Sequence, residues 1–109
     1  MALDVGVLGG SILGAFKSSF TTQWPQIETY AEGESERLAH SLVQITTLRV
    51  NNKITDGECS VMLEMQKNAT RTVFLALEGL SLILVETAIN AALTAVQTAV
   101  NSAIGFALL

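Results

Sequence analysis

Apolar residues recur at every third or fourth position along much of the chain, which is the spacing of one face of an α-helix. The first clear stripe predicts a helix over residues 22–50. Pro25 fits the first turn of a helix, and a threonine just ahead of it can cap the free amides, so a helix start and a kink are expected there. The stripe consists of Trp24, Ile27, Ala31, Glu34, Leu38, Leu42, Ile45 and Leu48.

A turn is predicted at residues 51–55, where Asn51 and Asn52 interrupt this stripe. Thr55 and Glu58 have the spacing of a capping box, in which each side chain accepts a hydrogen bond from the other residue's backbone amide. No proline follows, and helical spacing of apolar residues continues to the end of the chain. One long helix over residues 55–109, with a bend at Gly79, is therefore expected.

Two rows of small residues with a four-residue spacing lie near the ends of the chain. Side chains four apart share one face of a helix, so each row allows another helix to approach closely. The first row makes residues 1–20 a glycine-zipper segment; a flexible lead-in is the alternative, because each glycine costs a helix about 1 kcal/mol relative to alanine. The predicted helix-packing residues are Gly6, Gly10, Gly14, Ala91, Ala95, Ala99 and Ala103.

The turn lies near the midpoint of the chain, so two antiparallel arms would place opposite each other residues whose numbers sum to about 106. The glycine row would then meet the alanine row. The predicted fold is all-α: a single domain, 1–109, forming a long antiparallel helical hairpin. Its parts are the apolar segment 1–20, the helix 22–50 and the helix 55–109, and arms of about 50 residues would each extend about 75 Å.

The composition predicts association. Hydrophobic residues make up 50% of the chain and charged residues 15%, against a usual charged share of about 25%. A small domain this apolar is expected to cover part of its surface with copies of itself, another assembly protein or lipid. The net charge is −4 and the six basic residues are scattered, which argues against nucleic acid as a partner.

The last third of the chain contains the candidate interface. Residues 72–109 include no lysine or arginine, and their only carboxylates are Glu78 and Glu86. A carboxylate in apolar surroundings needs a cation, a proton or water. Three interpretations stay open: outward carboxylates or a pair with Lys17, carboxylates facing the aqueous lumen of a helical ring, and proton or ion chemistry.

An uncharged polar face continues beyond Glu86. Solvated helix faces usually carry lysine and glutamate, so a neutral face favours a protein interface, a channel lining or a surface at membrane depth, with a small solvated strip as the alternative. Together with the two carboxylates, the predicted oligomer-interface or lumen residues are Asn90, Thr94, Gln97 and Asn101.

One acidic row raises the question of a metal site. Di-iron bundles use carboxylates from several helices and a Glu-x-x-His step on two of them. Here the Glu-to-His spacing is four and the chain has one histidine. A solvated face partly neutralised by Lys67 and Arg71 is the favoured interpretation, and no metal or other cofactor is expected. The row consists of Glu28, Glu32, Glu36 and His40.

The motifs of enzymes are missing from the sequence. Cys59 is the only cysteine, and neither a phosphate-binding loop nor a nucleophile elbow occurs. The N-terminus has an acid where a signal peptide carries positive charge, so a targeting sequence is not expected. The predicted function is therefore a non-enzymatic structural protein that self-associates into a bundle or ring, as a building block of a phage virion or a secretion apparatus.

The alternative is a membrane-inserting helical hairpin or a pore-forming protein. Residues 87–109 contain no charge over 23 residues, enough to span a hydrocarbon core of about 30 Å. The amides in this stretch are numerous for a single lipid-facing helix, which counts against insertion. The sequence is compatible with a location in a virion and with a location at a membrane.

Overall fold

The structure, a computed structural model, describes residues 3–109; Met1 and Ala2, which begin the predicted apolar segment, lie outside the described residues. The chain forms four α-helices, and residues 3–109 contain no strand. The prediction of an all-α fold is confirmed. The helices are α1 (Val5–Ser19), α2 (Trp24–Val50), α3 (Asp56–Leu75) and α4 (Leu82–Ile104).

The predicted helix over residues 55–109 is divided in two, which corrects the sequence prediction. α3 ends at Leu75, and in the connection Gly79 has a φ of +86°. This left-handed conformation suits glycine and ends right-handed helical geometry. Ser81 then caps α4, because its hydroxyl accepts a hydrogen bond of 3.2 Å from the Leu84 amide. The expected bend at Gly79 is a complete break.

The N-terminal arm is also interrupted. α1 ends at Ser19 and α2 begins at Trp24, as predicted, with Pro25 in its first turn. No side chain caps the start of α2, so the expected threonine cap does not form. Pro25 thus lies at the start of one helix and does not kink a longer one.

The four helices pack as an antiparallel bundle of 42 × 23 × 18 Å. α1 packs against α2 and α4, and α3 packs against the same two helices. Short connections and the side-chain contacts show that neighbouring helices run in opposite directions. Each arm of the predicted hairpin therefore doubles back on itself, and the 75 Å arms expected for continuous helices do not form. Two such contacts join Arg37 with Thr70 and Arg71 with Glu86, and the backbone of Gly9 lies beside Ala39.

The core contains an aromatic cluster that joins α1 to α3. The ring of Phe74 lies 5.1 Å from the rings of both Phe16 and Phe20, edge to face. All three side chains have no exposed surface. Edge-to-face pairs add about 0.5–1.5 kcal/mol to the burial of aromatic surface. This cluster lies at the end of the bundle where α1 and α3 finish.

The turn between α2 and α3 forms as predicted. The Thr55 hydroxyl accepts a hydrogen bond from the Glu58 amide (3.1 Å), and the Glu58 carboxylate accepts one from the Thr55 amide (2.8 Å). The predicted capping box is confirmed. Beneath the turn, Ile45, Cys59 and Ile104 form a second, smaller apolar cluster.

A polar cluster joins the middle of α2 to α3. Arg37 donates hydrogen bonds to the Glu34 carboxylate (2.9 Å), the Gln66 backbone oxygen (3.1 Å) and the Thr70 hydroxyl. Thr70 is fully buried and Glu34 is 9% exposed. Thr70 and Glu34 thus both have a partner in this cluster, which removes the cost of burying them unpaired.

Candidate functional site

The glycine row of α1 lies on the outer surface of the bundle. Gly6, Gly10 and Gly14 are exposed, and a methyl group added at Gly10 or Gly14 would have no neighbour within 4 Å. α1 instead packs into the core with its large apolar residues. These are Leu8, Ile12 and Phe16.

The alanine row of α4 is also outside the core. Ala95 and Ala99 are exposed, while Ala91 and Ala103 are half-buried. The core side of α4 consists mainly of larger side chains, whose burial removes more apolar surface from water. The predicted contact between the two small-residue rows is therefore not formed within the chain. α1 and α4 pack together, but through other residues, among them Leu8, Ile12, Val85, Ile89 and Val96.

A groove lies beside the glycine row, between α1 and α2. Its volume is about 340 Å³, and Gly6, Gly9 and Gly10 form part of the α1 side. Glu32 and Glu36 line the α2 side and are exposed. The groove therefore combines a small-residue wall with an acidic wall.

The acidic row on α2 is solvated. Glu28, Glu32, Glu36 and His40 are all exposed, and the His40 ring lies 3.9 Å from the Glu36 carboxylate. The expected neutralisation across the hairpin is not observed, because both cations of α3 pair elsewhere. Within residues 3–109, no group of three or more His, Cys, Asp or Glu side chains could hold a metal ion. The α3 pairs are Lys67 with Glu64, and Arg71 with Glu86.

The two carboxylates of the last third have different surroundings. Glu86 pairs with Arg71, and the hydrogen bond from that guanidinium holds the pKa of the Glu86 carboxyl below its usual range. Glu78 is exposed in the connection between α3 and α4. The predicted pair of Glu86 with Lys17 does not form. The sequence pattern did not identify Arg71 as the partner of Glu86, because the two side chains meet only when residues 55–109 fold back as two helices.

The neutral polar residues of α4 divide into two groups. Asn90 and Thr94 are exposed and line a cleft between α3 and α4. Gln97 and Asn101 bind the backbone of residues 108–109, as four hydrogen bonds of 3.0–3.4 Å show. The sequence prediction missed this role. The only available signal was Gly105 after the helical stripe, which is typical of a helix end followed by a separate segment.

Several large apolar side chains are exposed where α3 meets α4. Ile83 is 79% exposed, Leu82 is 56% exposed and Leu75 is 40% exposed. A cluster of this kind on a small domain is typical of an interaction site. Further exposed apolar side chains lie on α2 and α3, among them Val61 and Met65, so exposed apolar surface is not confined to α1 and α4.

α4 is the one helix among residues 3–109 that is long and apolar enough to cross a membrane. In the bundle, 39% of its most apolar 18-residue stretch is buried, so its inner face already contributes to the protein core. Comparison with other proteins adds no assignment: no protein-family model, no curated protein and no solved structure matches this chain.

Proposed function

We propose that this protein is a non-enzymatic structural subunit that self-associates through the outer faces of α1 and α4. The observation that carries the proposal is the exposure of the whole glycine row, and of Ala95 and Ala99 in the alanine row, on the bundle surface. With no side chain larger than a methyl group along each row, the backbone of another helix can approach closely. We infer that the packing predicted within the chain is used between copies.

Charge supports α1 as one part of this contact. Lys17 is exposed and is the only charged residue of α1, whereas the groove beside α1 has Glu32 and Glu36 on its other wall. If two copies place their α1 helices antiparallel, Lys17 of each copy approaches the acidic wall of the other. Charge pairs of this kind fix the register of an interface more than they add affinity.

The neutral face of α4 provides a second contact surface. Asn90 and Thr94 are exposed and lack the charge that a solvated helix usually has. Two different two-fold contacts, one through α1 and one through α4, would join each subunit to two neighbours and so build an assembly larger than a dimer. A ring, tube or bundle in a virion or secretion apparatus, alone or with other assembly proteins, is the setting that fits these surfaces best.

Sedimentation velocity in detergent-free buffer tests the proposal. The wild-type protein should sediment as an oligomer whose population rises with concentration. Ala99→Lys places a charge on the outer face of α4 and should shift the distribution towards monomer, whereas Ala69→Lys, at an exposed alanine of α3, should not. A wild-type protein that remains monomeric at all concentrations would refute the proposal.

We propose membrane insertion as the second candidate, supported by α4, which has the length and composition of a membrane-spanning helix, and by the exposed side chains of Leu82 and Ile83. Insertion requires the bundle to open, because the inner face of α4 packs in the core. Flotation with lipid vesicles separates the two functions. Protein that floats with vesicles and resists extraction by salt supports insertion, and protein that stays in the soluble fraction as an oligomer supports assembly.

A further inference from the structure

The cleft between α3 and α4 is partly filled by residues that follow α4. Its volume is about 290 Å³, and its walls include Leu63 and Lys67 of α3 and Leu93 of α4. Leu108 and Leu109 lie against these walls and are half-buried. We call residues 106–109 the tail. The cleft that holds the tail is called the tail cleft.

Side chains of α4 hold the tail by its backbone. The Asn101 side-chain oxygen accepts hydrogen bonds from the Leu108 and Leu109 amides, both 3.0 Å long. The Gln97 side-chain amide donates to the Leu109 backbone oxygen at 3.0 Å, and the Asn101 amide donates to the same oxygen at 3.4 Å. Two consecutive backbone amides, a backbone oxygen and two leucine side chains are therefore the ligand chemistry that this cleft recognises.

The tail is joined to α4 by a residue that can act as a hinge. Gly105 has a φ of +92°, which a glycine adopts without strain, and it caps α4. A rotation at this single residue would release the tail while leaving α4 intact.

We propose that the tail cleft binds the tail of a second copy, so that neighbouring subunits exchange residues 106–109. When two identical subunits exchange tails, each contact that a tail loses in its own cleft is made again in the cleft of the other copy. Such an exchange is a low-cost route to association. In dilute solution the subunit's own tail is favoured, because its effective concentration near the cleft is in the millimolar range. In an assembly the local concentration of neighbours is high. The inference rests on the proposed self-association, since it names one contact between copies.

The length of the tail restricts the geometry of exchange. Four residues span at most about 14 Å when fully extended. The C-terminal ends of the two α4 helices must therefore lie side by side, and reciprocal exchange gives a pair with two-fold symmetry. Lys67 and Glu64 line the same cleft and pair with each other.

Two full-length variants test the exchange by complementation. In the first, Gln97→Ala with Asn101→Ala removes the groups that hold a tail, and the tail itself is intact. In the second, Leu108→Asp with Leu109→Asp removes the apolar side chains of the tail, and the cleft is intact. Native mass spectrometry of each variant alone and of the equimolar mixture then measures association, with circular dichroism as the check on folding.

The expected result is a mixed 1:1 pair in excess of either self-pair, because only the mixture combines an intact tail with an intact cleft. If the wild-type protein associates but the mixture shows no excess of the mixed pair, exchange is refuted and the proposed function stands. If neither the wild-type protein nor the mixture associates, both are refuted.

Cys59 supplies an independent readout that also works if Asn101→Ala prevents folding. Its thiol is buried in the apolar cluster covered by Phe106 and Leu108, and burial raises its pKa. The single variant Gln97→Ala loses one hydrogen bond to the tail and should increase the rate of reaction with a thiol reagent severalfold. The first double variant loses all four and should increase that rate by about a hundredfold or more. Protection of Cys59 in the Leu108→Asp, Leu109→Asp variant on addition of Gln97→Ala protein supports exchange; unchanged reactivity contradicts it.

Discussion

The α2–α3 pair and the α1–α4 pair of this bundle are held together by different kinds of interaction. α2 and α3 are joined by the Arg37 cluster and by the capped turn, and their outer surfaces carry most of the charge. α1 and α4 are joined by apolar packing, and their described residues form no ion pair with each other. Their outer faces present glycine, alanine, asparagine and threonine.

Under the proposed self-association, this difference separates the half that stays in water from the half that contacts other copies. Charged faces remain soluble without a partner, whereas small and neutral faces lose little free energy when they are covered by another protein surface. The α2–α3 pair therefore resembles the exposed side of a subunit, and the α1–α4 pair resembles its contact side. Removing the features that distinguish the two pairs tests this interpretation.

The largest effect is expected where the two pairs meet. Phe74→Ala removes the ring that contacts both Phe16 and Phe20, and it should lower the free energy of unfolding by about 3–5 kcal/mol. Urea denaturation measures this loss. Tyr30→Ala is the control: Tyr30 is 51% exposed, so its truncation should cost less than about 1 kcal/mol. Equal costs for the two substitutions would show that the aromatic cluster does not join the pairs.

A smaller loss is expected from the polar cluster of the α2–α3 pair. Arg37→Ala leaves the buried Thr70 hydroxyl and the Glu34 carboxylate without a partner, which should cost about 1–3 kcal/mol. Arg49→Ala is a matched control, because the side chains of both arginines are 32% exposed but Arg49 pairs with an exposed aspartate. The control should cost less than the Arg37 substitution, because an exposed ion pair contributes little to stability. Denaturation curves in which Arg49→Ala is the more damaging change would contradict the role given to Arg37.

One side-chain cap stabilises the start of α4. Ser81→Ala removes the hydroxyl that accepts the Leu84 amide and should cost about 1 kcal/mol. Ser102→Ala, at an exposed serine within α4, should leave the melting temperature unchanged or slightly higher. If thermal unfolding shows no difference between the two variants, the Ser81 hydroxyl does not stabilise the start of α4.

The smallest effect concerns the ion pair between α3 and α4. Arg71 lowers the pKa of Glu86, so the pair stabilises the fold above the unfolded-state pKa of about 4.3, and this contribution disappears as the pH falls through the lower folded-state pKa. Glu86→Gln should therefore reduce stability near neutral pH by at most about 1 kcal/mol. The difference from the wild-type protein should vanish in acid.

Denaturation at a series of pH values checks this sign, and Glu78→Gln is the control because Glu78 is exposed in the α3–α4 connection. The control should alter stability by less than about 0.5 kcal/mol at neutral pH. A Glu86→Gln penalty that grows as the pH falls would mean that the carboxylate is not stabilised by Arg71.

Local signals in the sequence were sufficient for much of the fold. The capping box at Thr55, the start of α2 near Pro25 and the turn at residues 51–55 all depend on residues close together in the chain. The register of the α2–α3 contact also follows from the position of the turn, as Arg37 and Thr70 show. These features needed no knowledge of the tertiary structure.

The candidate surface could be predicted only in part. A four-residue row identifies a helix face but not whether that face is inside, and here the larger residues of α1 and α4 occupy the core. The break at residues 76–81 is favoured because α4 buries apolar surface when it folds back into the bundle. A local sequence pattern does not report that burial. Without that break, neither the Arg71–Glu86 pair nor the tail contacts of Asn101 could be anticipated.

The most direct test compares two glycine substitutions by sedimentation velocity in detergent-free buffer. Gly10 and Gly33 are both exposed helical glycines with open space around them, on α1 and α2 respectively. Leucine should stabilise either helix by up to about 1 kcal/mol. We expect Gly10→Leu to shift the protein towards monomer and Gly33→Leu to sediment like the wild-type oligomer. Equal sedimentation of both variants and the wild-type protein would contradict the assignment of the α1 face as the contact between subunits.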